Sequence, residues 1–213
     1  MAGKHLANQI TVVRIILVFI FAVLLVYGNN FIKDFKGSAI ATAGMVLFVI
    51  AIFALDWVDG YLARKHDLST DFGSMFDIVG DRIVELVLLI SFAYLSLISI
   101  LIPILFIIRG QITDMFRFYF LKAGKTPFGE KSMHKKGSIS YFITSSRFMR
   151  GFYGLLKMAL FILGTFVFLY TSHNMQYLSL VYWLGWATLA VNILRGIPPI
   201  VDGAKNLDKV MEK

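Results

Sequence analysis

The feature that most constrains this chain is a series of six apolar stretches, each close to the roughly 20 residues that a helix needs to cross a bilayer. We place these stretches at about 9–28, 38–64, 73–96, 98–121, 149–171 and 177–199. Turn-forming or charged segments such as GNNFIKDFKGS and KHDLSTDF separate them. Because a spanning backbone must satisfy its own hydrogen bonds, stretches of this length form helices. The sequence therefore predicts an all-α, polytopic membrane protein with a six-transmembrane-helix bundle.

The composition excludes an ordinary soluble domain, because 58% of the 213 residues are hydrophobic and only 16% are charged. The chain has no cysteine, so neither a disulfide framework nor a thiolate site is possible. Its net charge of +8 indicates contact with anionic lipid headgroups and not with nucleic acid. We find no internal repeat or linker, so residues 1–213 are predicted to form a single membrane domain that retains its first apolar stretch as a span.

Positive charge predicts the orientation of the spans. With six spans, both termini lie on the same side as the basic loop at 122–148, and Lys33 and Lys36 are the basic residues left in the loops of the opposite face. Lysine and arginine collect in cytoplasmic loops, so we expect both termini in the cytoplasm, with the protein in the plasma or inner membrane. The charged residues inside the spans all fall in the cytoplasmic half of this topology, and such residues face a bundle interior or water. We therefore expect a cytoplasm-facing polar cavity.

Four aspartates lie at membrane depth in the segment DWVDGYLARKHDLSTDFGSMFDIVGD, residues 56–81. Asp56 and Asp59 are three residues apart on one predicted helix, and Asp77 and Asp81 are four apart on the next, so each pair shares a helix face. Two helices joined by a short loop can bring all four carboxylates to one point. Four clustered negative charges repel one another unless cations neutralise them.

Oxygen ligands alone favour hard cations, so Mg²⁺ or Mn²⁺ is expected at these aspartates in preference to Zn²⁺. The alternative is that the aspartates cap helices or form ion pairs with Arg64 and Arg82. An isolated intramembrane aspartate would leave that alternative open, whereas four aspartates on two facing stripes favour a metal site.

The segment resembles the signature of the CDP-alcohol phosphatidyltransferase family, which reads Asp-x2-Asp-Gly-x2-Ala-Arg-x8-Gly-x3-Asp-x3-Asp. All eight specified positions match: Asp56, Asp59, Gly60, Ala63, Arg64, Gly73, Asp77 and Asp81. The resemblance implies an enzyme that displaces CMP from a CDP-linked lipid, usually CDP-diacylglycerol, with an alcohol. It also implies two divalent metal ions held by the four aspartates, and a possible homodimer.

The same resemblance gives roles to the individual residues of the segment. It implies that Asp81 is the base that takes the proton of the acceptor alcohol. Gly60, Ala63 and Gly73 would let the nucleotide lie against the helices, and Arg64 would add positive charge near the diphosphate. These four residues are therefore expected to bind the CDP-lipid.

A second motif lies at the start of the first predicted span. In NQITVVR, Asn8, Thr11 and Arg14 recur at helical spacing. This pattern is similar to the Asn-x2-Thr-x2-Arg found where the first helix of that family begins near the nucleotide, which implies a further contribution to CDP-lipid binding. Asn8 and Thr11 could instead cap the helix start or bond to its backbone.

Arginines later in the chain indicate the acceptor alcohol. Arg109 and Arg117 share one face of the fourth predicted span, and Arg147 and Arg150 precede the fifth. Guanidinium groups bind phosphate through two hydrogen bonds, so this set is expected to hold a phosphate on the acceptor. The Arg-x7-Arg spacing is similar to that of phosphatidylglycerophosphate synthases, which implies sn-glycerol 3-phosphate as the acceptor.

The match to that branch of the family is incomplete. The loop at 122–148 is long, and SRFMRG stands where a stretch rich in glycine and lysine is usual. An inositol-phosphate acceptor therefore remains open. We expect the loop itself to face solvent and lipid headgroups.

Two other classes of membrane protein use clustered aspartates. A UbiA-like prenyltransferase carries its aspartates in two distant motifs on a longer chain, unlike the compact motif found here. A cation transporter could use the cluster as an ion-binding site, and it would move ions with no requirement for a nucleotide.

Overall fold

The computed structural model describes the backbone of residues 2–65, 71–122, 139–171 and 175–211. The side chains it describes are those of residues 9–55, 73, 75–116, 118, 140–144, 146–171 and 175–205. The elements in these ranges are α-helices: α1 Ala2–Phe31, α2 Ala39–Lys65, α3 Asp71–Tyr94, α4 Leu101–Lys122, α5 Ile139–Ser145, α6 Arg147–Tyr170 and α7 Met175–Met211. The predicted all-α class is confirmed.

Three helical segments are long and apolar enough to cross a membrane, counting only the part of the chain that the structure describes. They are Gln9–Phe31 in α1, Ser140–Tyr170, which covers α6, and Met175–Lys205 in α7. These segments confirm the first, fifth and sixth predicted spans as candidates. Helices α2, α3 and α4 occupy the positions of the other three predicted spans. The chain is thus a helical integral membrane protein.

The helices divide into two units. The first contains residues 1–103 and 158–185, and the second contains 104–157 and 186–213. In the first unit, α1 packs against both α2 and α3. Its core comes from apolar residues at helical spacing on these three helices: Val18, Phe21 and Leu25 on α1, Met45, Val49 and Ile52 on α2, and Val84, Leu88 and Phe92 on α3.

The later part of α6 closes the core of the first unit. The ring of Phe161 meets that of Phe92 edge to face at a centroid distance of 5.5 Å and stacks on that of Phe53 at 5.8 Å. Gly164 lies one turn further along α6, and a methyl group on its Cα would collide with the ring of Phe92. The absence of a side chain at position 164 therefore allows α3 and α6 to approach closely.

The turn between α3 and α4 explains why two nearly continuous apolar stretches form separate helices. Ser96 has a φ of 59°, and the Leu97 N–H donates to the Phe92 carbonyl oxygen at 2.9 Å, which closes the end of α3. Ser99 then begins α4, since its Oγ accepts from the Leu101 N–H at 3.3 Å. Pro103 lies in the first turn of α4, where a missing N–H is tolerated.

Two differences from the predicted elements lie in the second unit. A short helix, α5, occupies part of the predicted loop at 122–148, and Ser146 ends it and caps α6, accepting from the Met149 N–H at 3.2 Å. Helix α7 also runs on to Met211, beyond the predicted end at 199, with Pro198 and Pro199 inside it. Prolines normally end helices. Here α7 continues through both prolines, and both are buried in the fold.

Candidate active site

Helix α3 carries two of the predicted metal-binding aspartates near its start. Asp77 and Asp81 lie one turn apart and are both exposed, and Val84 and Leu88, which continue the same stripe of α3, are buried in the core of the first unit. The four-residue spacing therefore places the two carboxylates side by side, as the sequence predicts. Gly73 lies in the first turn of the same helix and is half-buried.

An ion pair joins this face of α3 to α1. The Arg14 Nη2 donates to Asp81 Oδ1 at 3.0 Å, and the two residues are 67 positions apart in the chain. The Arg14 side chain is 3% exposed and that of Asp81 is 48% exposed. The arginine is therefore fixed in the protein, and the carboxylate that it holds is accessible.

Helices α1 and α3 also contact each other closely one residue before Asp81. Gly80 is buried, and a Cβ built on it would collide with the Cγ2 methyl of Thr11, which is itself buried. Thr11 and Arg14 are three residues apart and share one face of α1. One helix face thus provides both the close packing at Gly80 and the ion pair at Asp81.

A second arginine beside Asp81 is directed elsewhere. The Arg82 Nη1 donates to Glu85 Oε2 at 2.6 Å, and the Glu85 side chain is 4% exposed. Arg82 compensates the negative charge of a buried carboxylate, which would otherwise be costly at this depth. Arg82 was one expected ion-pair partner for the aspartates, and the structure pairs it with Glu85.

The other aspartates of the motif lie at the end of α2. The backbone at Asp56, Asp59, Gly60, Ala63 and Arg64 is helical, as predicted, but these side chains lie outside the described residues, as does that of Asn8 on α1. Among the side chains that are described, no group of three His, Cys, Asp or Glu residues could hold a metal ion. The four-aspartate site therefore remains a prediction.

The second unit contains a buried polar cluster centred on Tyr153 of α6. The Asn192 Nδ2 donates to the Tyr153 Oη at 2.8 Å, and the Arg195 Nη2 donates to the Thr144 carbonyl oxygen at 3.3 Å. Two cations lie over the Tyr153 ring: the Arg195 guanidinium at 4.8 Å from the centroid and the Lys157 ammonium at 4.7 Å. The cluster brings together residues of α5, α6 and α7.

The predicted acceptor-binding arginines also belong to the second unit. Arg109 on α4 packs directly on Gly196 of α7, because a Cβ at position 196 would collide with its Nε. Gly196 is the residue after Arg195 in α7. Arg147 and Arg150 are exposed at the start of α6. The Arg117 side chain lies outside the described residues.

Sequence analysis assigned no role to Gly80, Tyr153, Asn192 or Arg195. A glycine between two motif aspartates is a signal of close helix approach. An asparagine and an arginine inside the last apolar stretch, NILRG, are a signal of a buried polar site. No local pattern identifies Tyr153, since its partners Asn192 and Arg195 lie on α7.

Comparison with known proteins identifies the family. Residues 4–194 match the family model described as CDP-alcohol phosphatidyltransferase. This range contains the aspartate motif, the Asn-x2-Thr-x2-Arg motif and the four predicted acceptor-binding arginines.

Three similar proteins share the same name. The chain is 37% identical to the CDP-diacylglycerol--glycerol-3-phosphate 3-phosphatidyltransferase of Bacillus subtilis over 95 residues, which are 41% of this chain and 49% of that protein. It is 40% identical to the protein of the same name from Rickettsia typhi over 80 residues, 38% of this chain and 40% of that protein. The matched segments thus span about half or less of the length of these relatives.

A longer match has lower identity. The protein of the same name from Wigglesworthia glossinidia brevipalpis is 29% identical over 193 residues, which cover 88% of this chain and 98% of that protein.

Proposed function

The chain belongs to the CDP-alcohol phosphatidyltransferase family, and we propose that it transfers the phosphatidyl group of CDP-diacylglycerol to sn-glycerol 3-phosphate with release of CMP. The observation that carries the proposal is the geometry of α3. Two motif aspartates are exposed side by side on it, and a buried arginine of the second family-like motif holds one of them at 3.0 Å. The name shared by the three relatives supports glycerol 3-phosphate as the acceptor.

The reaction is a displacement at phosphorus. A hydroxyl oxygen of the acceptor attacks the phosphorus that carries diacylglycerol, and the bond from that phosphorus to the oxygen bridging to CMP breaks. The hydroxyl proton passes to the Asp81 carboxylate, and the electron pair of the broken bond leaves with CMP. Asp81 suits the role of base because its carboxylate is accessible and its position is fixed by Arg14.

The residues fit divalent metal ions. Asp77 and Asp81 offer oxygen ligands one helical turn apart, and both are exposed, while Asp56 and Asp59 lie in the helical end of α2. Carboxylate oxygens suit Mg²⁺ or Mn²⁺. Two such ions, when bound, would neutralise the diphosphate and stabilise the leaving phosphate.

The polar cluster of the second unit supports a phosphorylated polyol as the acceptor. Arg109, Arg195 and Lys157 supply positive charge for a phosphate. The Asn192 Oδ1 and the Thr144 Oγ1 are buried without a hydrogen-bond partner among the described residues. Buried oxygens in this state are costly, and hydroxyl groups of a bound polyol would satisfy them. Arg117, Arg147 and Arg150 remain predicted members of the acceptor site.

The proposal keeps six spans, both termini in the cytoplasm and the polar cavity open to that side. Its support is the distribution of basic residues, which favours one face of the membrane. The active site would then draw its soluble acceptor from the cytoplasm and its lipid donor from the inner leaflet.

An acceptor screen tests the function. Purified protein in vesicles that contain CDP-diacylglycerol is supplied with Mg²⁺ and, in separate reactions, with glycerol 3-phosphate, inositol phosphate, inositol or serine, and released CMP is measured. We expect CMP release only with metal and an alcohol, fastest with glycerol 3-phosphate. Fastest release with inositol phosphate would show that inositol phosphate is the acceptor. Cation flux across the vesicle membrane without nucleotide would show that the protein is a cation transporter.

A further inference from the structure

The contact between Thr11 and Gly80 brings α1 and α3 close together, and it lies beside the proposed base. The family-like motif on α1 implies CDP-lipid binding for Thr11 and Arg14, whereas the structure buries Thr11 against Gly80 and directs Arg14 to Asp81. Gly80 occupies an unspecified position of the aspartate motif, so the motif gives it no role.

We propose that Arg14 is a positioning residue for Asp81 and that the Thr11–Gly80 contact sets the distance between them. This inference rests on the proposed function, in which Asp81 accepts the acceptor's proton. Arg14 donates to Asp81 Oδ1 and so restricts the rotamers of a carboxylate that is otherwise exposed on a helix surface.

Burial makes Arg14 suited to this role. Its side chain is 3% exposed, so packing around α1 and α3 fixes the guanidinium, and the guanidinium in turn fixes the carboxylate. An exposed arginine, which packing does not fix, would move together with the carboxylate and would not restrict its position. A general base must lie within hydrogen-bond reach of the proton that it takes, and a displacement of about 1 Å can reduce the rate about 100-fold.

Helix spacing controls whether Arg14 reaches Asp81. Thr11 is β-branched, and a β-branched side chain in a helix has few rotamers with which to avoid a new neighbour. A methyl group at position 80 would therefore push α1 away from α3 and lengthen the 3.0 Å contact between Arg14 and Asp81. Residues that bear the chemistry would all remain present.

Four variants test this role: Gly80→Ala, Thr11→Ser, the double variant Gly80→Ala/Thr11→Ser, and Gly44→Ala. Thr11→Ser removes the Cγ2 methyl that meets the new Cβ, and Thr11→Ser alone provides the reference for its own effect. Gly44 of α2 has no neighbouring atom within 4 Å of an added Cβ, so it controls for the substitution itself. In each variant we measure kcat, the KM for CDP-diacylglycerol and the Kd for CDP.

We expect Gly80→Ala to lower kcat about 10- to 100-fold, with the Kd for CDP changed less than about twofold. The double variant should recover most of the kcat of the Thr11→Ser reference, and Gly44→Ala should match the wild type. A wild-type kcat in Gly80→Ala, or a loss that appears only in the KM and the Kd for CDP, would overturn the proposal and leave Arg14 with CDP-lipid binding alone.

Arg14→Lys keeps the charge and does not alter the contact between Thr11 and Gly80. It therefore tests the positioning role even if Gly80→Ala does not fold. We expect a kcat loss of about tenfold with an unchanged Kd for CDP, because lysine lacks the planar donor group of arginine. An unchanged kcat would contradict positioning.

A stability measurement separates this proposal from the proposed function. Arg14→Met, Asp81→Asn and their double variant are compared by Tm, once in the wild-type background and once in Gly80→Ala. We expect a non-additive Tm difference of about 1–3 °C that disappears in Gly80→Ala. If the wild type releases no CMP, the proposed function is wrong, but the Tm coupling between Arg14 and Asp81 still tests whether the two residues are in contact. Additive Tm shifts in the wild-type background would refute that contact.

Discussion

Arg14 and Asp81 lie 67 residues apart in the chain, and a 3.0 Å hydrogen bond between the Arg14 Nη2 and the Asp81 Oδ1 joins the helices that carry them. This bond links the two motifs that the sequence analysis found separately, one at the start of α1 and one across α2 and α3. It also leaves about half of the Asp81 side chain exposed. The account of the active site depends on that accessible carboxylate.

Replacing Asp81 with asparagine keeps the shape of the side chain and removes the proton acceptor. We expect Asp81→Asn to bind CDP-diacylglycerol and to lose turnover, with kcat lower by about 100- to 10,000-fold. The measurement is kcat together with the Kd for CDP-diacylglycerol. Near wild-type turnover would show that another group takes the proton.

Asp77→Ala removes a predicted metal ligand and not the base. We therefore expect binding of the metal and of the nucleotide to be lost together, which titration with Mn²⁺ in the presence and absence of CDP would measure. Retention of both affinities would remove Asp77 from the metal site.

Replacing Arg109 with alanine tests the acceptor site. The KM for glycerol 3-phosphate should rise about 10- to 100-fold, because a charge-assisted hydrogen bond to a buried partner is worth about 1.5–3 kcal/mol. The KM for CDP-diacylglycerol should change much less. Arg109→Lys should recover part of the loss, since lysine keeps the charge without the second hydrogen bond.

Lys36→Ala is the control for the loss of a cation, because Lys36 has no predicted role in acceptor binding. Its ammonium lies 4.3 Å from the ring centroid of Phe168 in the first unit. If Arg109→Ala left both KM values unchanged and lowered only the Tm, its role would be packing on Gly196.

The chain contains no cysteine, so single introduced cysteines report the topology directly. Cysteines at Lys65 and Lys135 should react with a membrane-impermeant reagent only from the cytoplasmic side, and cysteines at Lys33 and His173 only from the outside. Labelling of all four from one side would refute six spans.

The close contact between Gly164 and Phe92 makes the stability of the first unit sensitive to a larger residue at position 164. Gly164→Ala forces a methyl group against the buried ring of Phe92, which costs about 1–3 kcal/mol by overpacking. We expect Tm to fall by about 2–10 °C. Gly154→Ala has open space around the added Cβ and should leave Tm unchanged or slightly higher.

Local patterns predicted much of the fold. Apolar length located the long helices, and the four-residue spacing of Asp77 and Asp81 predicted that they share one helix face. These features depend on one helix at a time, so a single segment contains the information. Helix α7 continues beyond the predicted end of its span at 199, because Pro198 and Pro199 do not end it.

Contacts between helices were less accessible to sequence reasoning. The Arg14–Asp81 bond and the Asn192–Tyr153 bond join residues 67 and 39 positions apart, and no local pattern specifies such a pairing. Arg195 is one of the charges inside the predicted spans, but its place beside Tyr153 depends on how α6 and α7 pack within the second unit.

The central claim is that this protein joins the phosphatidyl group of CDP-diacylglycerol to glycerol 3-phosphate, with Asp81 as the base. The most direct test supplies radiolabelled glycerol 3-phosphate and Mg²⁺ to the purified protein in vesicles that contain CDP-diacylglycerol, and measures lipid-soluble label and CMP in the same samples. We predict one labelled lipid for each CMP in the wild type and neither product from Asp81→Asn. CMP without labelled lipid, or labelled lipid formed equally well by Asp81→Asn, would contradict the claim.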